Sequence, residues 1–337
     1  MKKTFLEDWG PLLLGLGVLG AIGLYVIKSK ATVLPPGPGP KPPLPPGPPS
    51  PPPVPPPTPK GSSMSGSQFL SQFSSRGGLG IQPPTGKTLY QWEAAVIEMA
   101  KAGDILVWPW TDITLTDGEH TAVIKVQNDL FSIGTPEDHL RMPLRPETAQ
   151  SIANLNDWML PTPWLSYQIW KAAPFKLERK PMTPNRGAIL ADWAKHNETI
   201  DKQISDMGGS PLNGIVTGHK KDVVISNTYE PKLFGGAGNV VIYGWYKPEP
   251  DIFDDHKSMT DPQRQPQQPN SGGAHDANYL DYSHGIRFIH GMAKVDGKDM
   301  PLAELYHHPT LSKLVSREGP LKLARYRAPI SPKTPSV

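Results

Sequence analysis

The chain contains no cysteine, and this absence removes several kinds of chemistry at once. Disulfide bonds, thiolate metal sites and cysteine nucleophiles are excluded, so any metal would have to be bound by histidine, aspartate or glutamate. The sequence also lacks a concentrated basic stripe, because its 34 Lys and Arg residues are dispersed among 31 Asp and Glu residues. With a net charge of only +3, the chain is not expected to have a nucleic acid as its main partner.

Charge is missing altogether from one segment near the N-terminus. Residues 9–27 are nineteen uncharged residues, mostly Leu, Gly, Val and Ile, and they lie between Glu7-Asp8 and the basic residues Lys28 and Lys30. At about 1.5 Å per residue, such a helix just spans a hydrocarbon core of roughly 30 Å. We therefore predict a transmembrane anchor over residues 1–30. A cleaved signal peptide is the alternative, but Ser29-Lys30-Ala31 is a poor cleavage site.

Proline, by contrast, is abundant, and it dominates residues 35–59. Proline fixes φ and has no backbone donor, so this segment is predicted to be an extended polyproline II spacer, on the order of 80 to 90 Å long. A docking site for a proline-recognising module is the alternative. Residues 61–80 are rich in Ser, Gly and Gln and are predicted to continue the linker as a flexible joint. The linker as a whole is thus assigned to residues 31–80.

The globular part is predicted to cover residues 81–327, followed by a loose tail over 328–337. Helical spacing of apolar residues predicts helices over 88–102, 145–159, 163–173 and 185–207, with short strands over 104–110, 113–116, 120–126 and 130–133. Further short strands are predicted at 215–217, 223–226 and 240–246, the last as a central strand of the sheet. This pattern predicts a single α+β domain that has a mixed sheet and helices on one side.

The first polar motif is Gly218-His219-Lys220-Lys221-Asp222, which interrupts two apolar strand segments. A break of this kind predicts a loop where side chains gather at the end of a sheet. His219 and Asp222 would serve there as metal ligand and partner, or as base and orienting group. The alternative is a charged hairpin tip with solvated lysines.

The second polar motif covers residues 279–287 and is the densest in the chain. Three histidines from the two motifs and the segment before the second would suit zinc or another divalent metal with one position open for water: His219, His275 and His284. Acid–base catalysis without a metal would use His219, Asp222, Asp281 and His284, with Tyr282 or Arg287 stabilising negative charge. The alternative is a hydrogen-bonded polar core that pins the loop. No organic cofactor is expected.

Both motifs and the strand between them carry a resemblance. Residues 218–224, Ile242-Tyr243-Gly244-Trp245 and residues 279–287 resemble a family of uncharacterised proteins from bacterial and phage genomes. The resemblance covers about residues 150–320 and implies that the motifs form one unit, without adding an activity. The chain has Tyr246 where a histidine is expected, so the resemblance does not support metal binding at that position.

Two functions follow as expectations. The first is a membrane-anchored hydrolase of peptidoglycan or a related envelope polymer, with its head outside the cytoplasm. The second is a non-enzymatic envelope or virion protein that presents its head on a stiff spacer, with the membrane and a virion shell as partners. The first requires His219 and His284 to meet in a shared pocket that solvent can reach.

Overall fold

The structure, a computed structural model, describes residues 59–74, 91–183, 189–245 and 275–332, all of which lie in one structural unit, residues 54–337. The predicted anchor, most of the proline-rich spacer and the end of the predicted tail lie outside the described residues. Within the described ranges, no helix is both long and apolar enough to cross a membrane.

The described residues form both helices and strands, interspersed along the chain. The helices are α1 (Gly66–Ser74), α2 (Gln91–Lys101), α3 (Pro146–Asn156), α4 (Pro163–Ala172), α5 (Ile189–Asp206), α6 (Leu233–Gly236) and α7 (Leu302–His307), with a 3₁₀ turn at Leu311–Leu314. The strands are β1 (Trp110–Thr116), β2 (Thr121–Gln127), β3 (Ser132–Gly134), β4 (His139–Arg141), β5 (Trp158–Met159), β6 (Phe175–Lys176), β7 (Val216–Thr217), β8 (Lys221–Val223), β9 (Ile242–Gly244), β10 (His284–Gly285), β11 (Ile289–Val295) and β12 (Lys298–Pro301). The expected α+β content is therefore confirmed.

Local sequence explains where two of the central helices begin and end. α4 starts at Pro163, whose fixed φ suits the first helical position, and the Thr162 hydroxyl accepts a hydrogen bond from the Leu165 amide. α3 also starts with proline, and its C-cap Asp157 adopts a left-handed conformation with φ +55°. Both helices bury most of their apolar residues in the main core.

The largest sheet is antiparallel, in the order β1-β2-β11-β12, with β5 also pairing with β11. In β1, Ile113 and Leu115 point into the core while their neighbours are exposed, as expected for a sheet with one buried face. Of the predicted strand over 104–110, only Trp110 belongs to a strand, as the first residue of β1, and Leu106 forms an isolated bridge with Ser132. The sequence predicted a single mixed sheet, but the described residues form four separate sheets.

A second sheet contains the two polar motifs and is mixed, in the order β10-β8-β9. β10 is parallel to β8, and β9 is antiparallel to it. The sequence predicted residues 240–246 as a central strand, but β9 is at the edge of this sheet and β8 is central. The apolar character of β9 comes from burial by the surrounding core rather than from strands on both sides.

The structure also differs from the prediction of a flexible joint over residues 61–80. Residues 66–74 form α1, in which Phe69 and Phe73, four positions apart, are buried in the main core. The preceding turn is held by the Ser62 amide, which donates to the Gly134 carbonyl, and the α1 start by the Gly66 amide, which donates to Asp138. Small polar residues surround the two phenylalanines in sequence, so composition alone concealed an amphipathic helix. The folded head therefore starts before residue 66.

Candidate functional site

The two polar motifs lie side by side in the three-stranded sheet. Lys221 of β8 is opposite His284 of β10 on one side and opposite Gly244 of β9 on the other. Residues that are opposite each other on neighbouring strands share one face of the sheet. The fold thus brings together side chains that are more than sixty positions apart in sequence, and it places Lys221 and His284 in one row.

Asp222 points to the other face, because side chains alternate along a strand. Its Oδ2 accepts a hydrogen bond of 2.6 Å from the Ser166 hydroxyl. Burial raises the pKa of Asp222, although the nearby Arg287 guanidinium opposes this shift. Asp222 therefore interacts with α4 and Arg287.

His219 instead has Asp129 as its acidic neighbour. His219 Nε2 lies 3.2 Å from Asp129 Oδ1, and both side chains are buried. Asp129 in turn forms an ion pair of 2.6 Å with Arg141, which also contacts Asp201 at 2.7 Å. Burial lowers the pKa of His219 to about 4 even though Asp129 opposes the shift, so the imidazole is neutral at pH 7. We call Asp129, Arg141, Asp201 and His219 the Asp129 cluster.

Lys220 occupies a buried position between the Asp129 cluster and the second motif. Its Nζ donates to the Tyr282 carbonyl and lies 3.3 Å from His196 Nδ1. Burial, together with Arg141, lowers the pKa of Lys220 to about 7. His196, although it lies between the polar residues Lys195 and Asn197, is 1% exposed, and burial and Lys220 lower its pKa to about 2. Lys220, which the hairpin-tip alternative expects to be solvated, is thus buried in the core.

A path of aromatic rings leads from the surface to His284. The exposed His275 ring stacks on Tyr279, with centroids 4.0 Å apart and planes 12° apart. Tyr279 is half-buried and meets the fully buried His284 ring edge-on at 5.6 Å. Tyr279 Oη also donates to Asp281 Oδ2 at 3.1 Å. We call Lys221, Tyr279, Asp281 and His284, with His275 at the surface, the His284 site.

The charges in the His284 site follow from burial and from the neighbouring groups. Burial, followed by Lys221, lowers the pKa of His284 to about 3. Burial alone would raise the pKa of Asp281, but His284 and the hydrogen bonds from Ser283 outweigh it and lower the pKa. The Ser283 amide and hydroxyl donate to Asp281 Oδ1 at 2.9 and 3.0 Å. At neutral pH the site therefore contains a carboxylate and a neutral imidazole beside the Lys221 amine.

Tyr282 and Arg287, the predicted stabilisers of negative charge, are bound to the backbone. Tyr282 Oη donates to the Met182 carbonyl at 2.9 Å and accepts from the Met182 amide at 2.7 Å. Arg287 is buried, and its two terminal nitrogens donate to the carbonyls of Gln127 and Val216 at 2.9 and 2.7 Å. These contacts connect the motif to the rest of the core, and a role in charge stabilisation stays a prediction for both residues.

The glycines of the two motifs allow close approach of the backbone. A Cβ on Gly285 would lie 2.6 Å from Leu130 and 3.1 Å from the Lys220 Cβ. Gly218 has φ +90°, and a Cβ there would lie 2.4 Å from the Leu177 carbonyl oxygen. The Gly218 contact is with backbone and at positive φ, so this position requires glycine, whereas a side chain on Gly285 would force the buried Leu130 side chain to move.

The predicted metal ligands are not brought together as a set. His219 belongs to the Asp129 cluster, whereas His275 and His284 are at opposite ends of the ring path. His219 and His284 are 1% and 0% exposed, so they do not form the shared, solvent-reachable pocket that the hydrolase expectation required. Across the described ranges, no group of three His, Asp or Glu side chains is arranged to hold a metal ion. The residues as placed do not fit a zinc centre, and the metal stays a prediction.

Sequence reasoning missed Asp129, Arg141, His196 and the buried state of both motif lysines. Asn128-Asp129 has the composition of a turn, and His196 lies between Lys195 and Asn197 on what looks like the polar face of a helix. No local signal distinguishes these residues from surface residues, because their partners come from distant parts of the chain.

Comparison with known proteins adds no relative: no family model, no curated protein and no solved structure matches this chain. Tyr246, where the resemblance expects a histidine, lies outside the described residues. The resemblance of the motifs to the bacterial and phage family therefore stays a prediction.

Proposed function

We propose that this protein is a membrane-anchored hydrolase of the cell envelope, whose head cleaves peptidoglycan or a related polymer by acid–base chemistry at the His284 site. One observation carries the proposal. The pairing of β10 with β8 puts His284 opposite Lys221, within electrostatic reach of the Asp281 carboxylate and at the inner end of a ring path from the surface.

Hydrolysis needs a base that takes a proton from water and a cation that stabilises negative charge on the substrate. His284 is neutral at pH 7 and would accept the proton once water reaches its fully buried ring, while the Asp281 carboxylate would stabilise the imidazolium that forms. The Lys221 ammonium, in the same row as His284, would stabilise the developing oxyanion and then protonate the leaving group. Groups whose pKa values are shifted apart in one site are typical of acid–base catalysts.

The setting of the head is part of the same proposal. An anchor over residues 1–30 and a spacer that begins at residue 31 would hold the head outside the cytoplasm, or in a virion membrane beneath a shell. The mixed sheet β10-β8-β9 carries the proposed site, and α4 contacts its edge strand β9, which agrees with helices on one side of that sheet.

The test is the clearing of a peptidoglycan suspension by the full-length chain in detergent. His284→Gln keeps a buried polar side chain but removes the base, so we expect at least roughly a hundredfold loss of clearing rate. His120→Gln is the matched control, because His120 is on a surface turn and pairs with Asp296. Unchanged unfolding midpoints would exclude loss of fold. Full activity of His284→Gln would contradict the proposed mechanism, and no clearing by the wild-type chain would contradict the proposed function.

A non-enzymatic presenter is the second candidate, favoured by the bonding of the remaining motif residues. The Asp129 cluster is a closed ionic network, and Tyr282 and Arg287 are bound to backbone groups, as in a polar core that fixes a binding loop. This candidate predicts that the chain sediments with peptidoglycan without clearing it, and that His284→Gln leaves the bound fraction unchanged. Metal analysis of the same preparation tests the zinc prediction separately.

A further inference from the structure

We propose that Trp245 is a positioning residue of the His284 site, and that its indole face holds the Lys221 ammonium group beside His284 and Asp281. The inference rests on the proposed function for its catalytic consequence. The contact itself is a property of the fold and can be tested without an activity.

The first argument is the arrangement of the row that contains Lys221. Gly244, opposite Lys221 on β9, has no side chain and so leaves space on that side of the amine. The ring of the next residue, Trp245, fills this space, and Lys221 Nζ lies 5.0 Å from its centroid. A cation at this distance from an indole is attracted to the face of the ring. The other side of Lys221 is taken by His284.

The second argument is the backbone conformation that puts the ring there. Trp245 has φ +62°, and Gly244 before it has φ +118°. A bulky residue with positive φ is a true outlier, and such conformations persist only where the surrounding structure enforces them, often at functional sites. Two successive positive φ values turn the end of β9 so that the indole returns over β8.

The third argument concerns what holds the indole in place. Trp245 is buried and meets Tyr282 edge-on at 6.3 Å. Its indole N–H has no hydrogen-bond partner among the described residues. Among the described residues, the indole is therefore held by ring packing and by its contact with Lys221 rather than by a hydrogen bond.

The contact has an electrostatic consequence. The charged or titratable groups that face Lys221 are Lys220, Asp281 and His284. Burial lowers the pKa of Lys221, and Asp281 opposes the shift. An aromatic face also favours the charged amine, so that removing the ring should make Lys221 lose its proton at a lower pH.

Two variants separate the ring from the strained backbone. Trp245→Phe keeps an aromatic face and Trp245→Leu keeps only an apolar side chain, while both must adopt the same positive φ. The full-length chain in detergent is reductively methylated with formaldehyde and cyanoborohydride, the hydride donor, between pH 5 and pH 10. The methylation of each lysine is followed by peptide mass spectrometry. The midpoint of the pH curve reports the pKa of the amine, and the plateau rate reports its exposure. Greater exposure by itself would raise the midpoint, because burial lowers the pKa of Lys221, so a fall in the midpoint cannot come from exposure.

We expect the Lys221 midpoint to fall by roughly one pH unit in Trp245→Leu, which is about a tenfold change in the protonation equilibrium. It should stay near the wild-type value in Trp245→Phe. The exposed Lys195 is the internal control and should not shift. If Trp245→Leu does not fold, Trp245→Met replaces it.

An unchanged Lys221 midpoint in the aliphatic variant would overturn the inference. So would a Lys221 that is never methylated at any pH, because an amine closed off from solvent cannot serve the site. A wild-type chain that fails to clear peptidoglycan would overturn the proposed function and leave the methylation result intact. If both the Trp245 inference and the proposed function hold, the clearing rate should begin to fall at a lower pH in Trp245→Leu than in the wild-type chain. This shift should match the shift of the Lys221 midpoint.

Discussion

At the scale of single residues, burial decides which side chains of the motifs are charged. His219 and Lys220 are neighbours in sequence, and both would ordinarily be solvated in such a polar stretch. In the fold they are 1% and 4% exposed, and burial shifts both pKa values downward. Asp129 and Arg141 stay charged in the same region because they pair with each other at 2.6 Å. The polar motif is therefore part of the core.

Arg141→Met should show how strongly this core depends on its ion pair. The change leaves the Asp129 carboxylate buried without its guanidinium partner, which costs about 3 to 5 kcal/mol in cases of this kind. The free energy of unfolding, measured in denaturant, should fall by that amount. Lys125→Met is the control, because Lys125 pairs with Asp112 at the surface and such pairs contribute about 0 to 1 kcal/mol. Equal losses in the two variants would contradict the argument.

At the scale of elements, short segments are held by partners that are remote in sequence. β10 has two residues and β8 has three, and neither would be stable alone. They pair because each also continues into buried apolar residues of the main core, such as Val224 and Ile286. α1 follows the same principle, since only the burial of Phe69 and Phe73 makes a helix of so many Ser and Gly residues favourable.

Phe69→Ala should therefore destabilise the whole head, although the residue falls in a stretch with the composition of a linker. Removing a fully buried phenylalanine costs about 3 to 5 kcal/mol, and this loss should appear in the free energy of unfolding. Gln72→Ala, on the exposed face of the same helix, should change it by less than about 0.5 kcal/mol. An unchanged free energy of unfolding in Phe69→Ala would indicate that residues 66–74 belong to the linker, as the sequence predicted.

At the scale of the whole molecule, the buried histidines make folding sensitive to acid. Burial lowers the pKa values of His139 and His219 to about 4, of His284 to about 3 and of His196 to about 2. Unfolded histidine titrates near about 6.5, so below that pH the unfolded chain binds more protons than the folded chain. The contribution of these histidines to stability is complete above pH 6.5 and is lost as the pH falls from 6.5 towards about 3.

The measurement is the free energy of unfolding between pH 8 and pH 4. We expect a decrease that His219→Gln makes shallower, since a tenfold difference in proton affinity between the folded and unfolded imidazole corresponds to about 1.4 kcal/mol. Lys220 acts in the same direction at higher pH, where stability should rise between about pH 7 and pH 10.5. A stability that does not depend on pH between 6.5 and 4 would show that these imidazoles are not buried in the neutral form.

The amino-acid sequence by itself determined those features of this protein that depend on neighbouring residues. Alternation in β1 and β2 and the proline starts of α3 and α4 follow from local sterics and periodicity. The α+β content could be predicted for the same reason. α1 was missed because its two phenylalanines are diluted by small polar residues.

Only the tertiary structure decided which side chains meet. The prediction that the two motifs are adjacent needed the parallel pairing of β8 with β10, which has no signature in three residues of sequence. The partner of His219 turned out to be Asp129, ninety positions earlier, while alternation along β8 turned the nearby Asp222 to the other face. Distance in sequence says nothing about such contacts, because burial and charge pairing act through space.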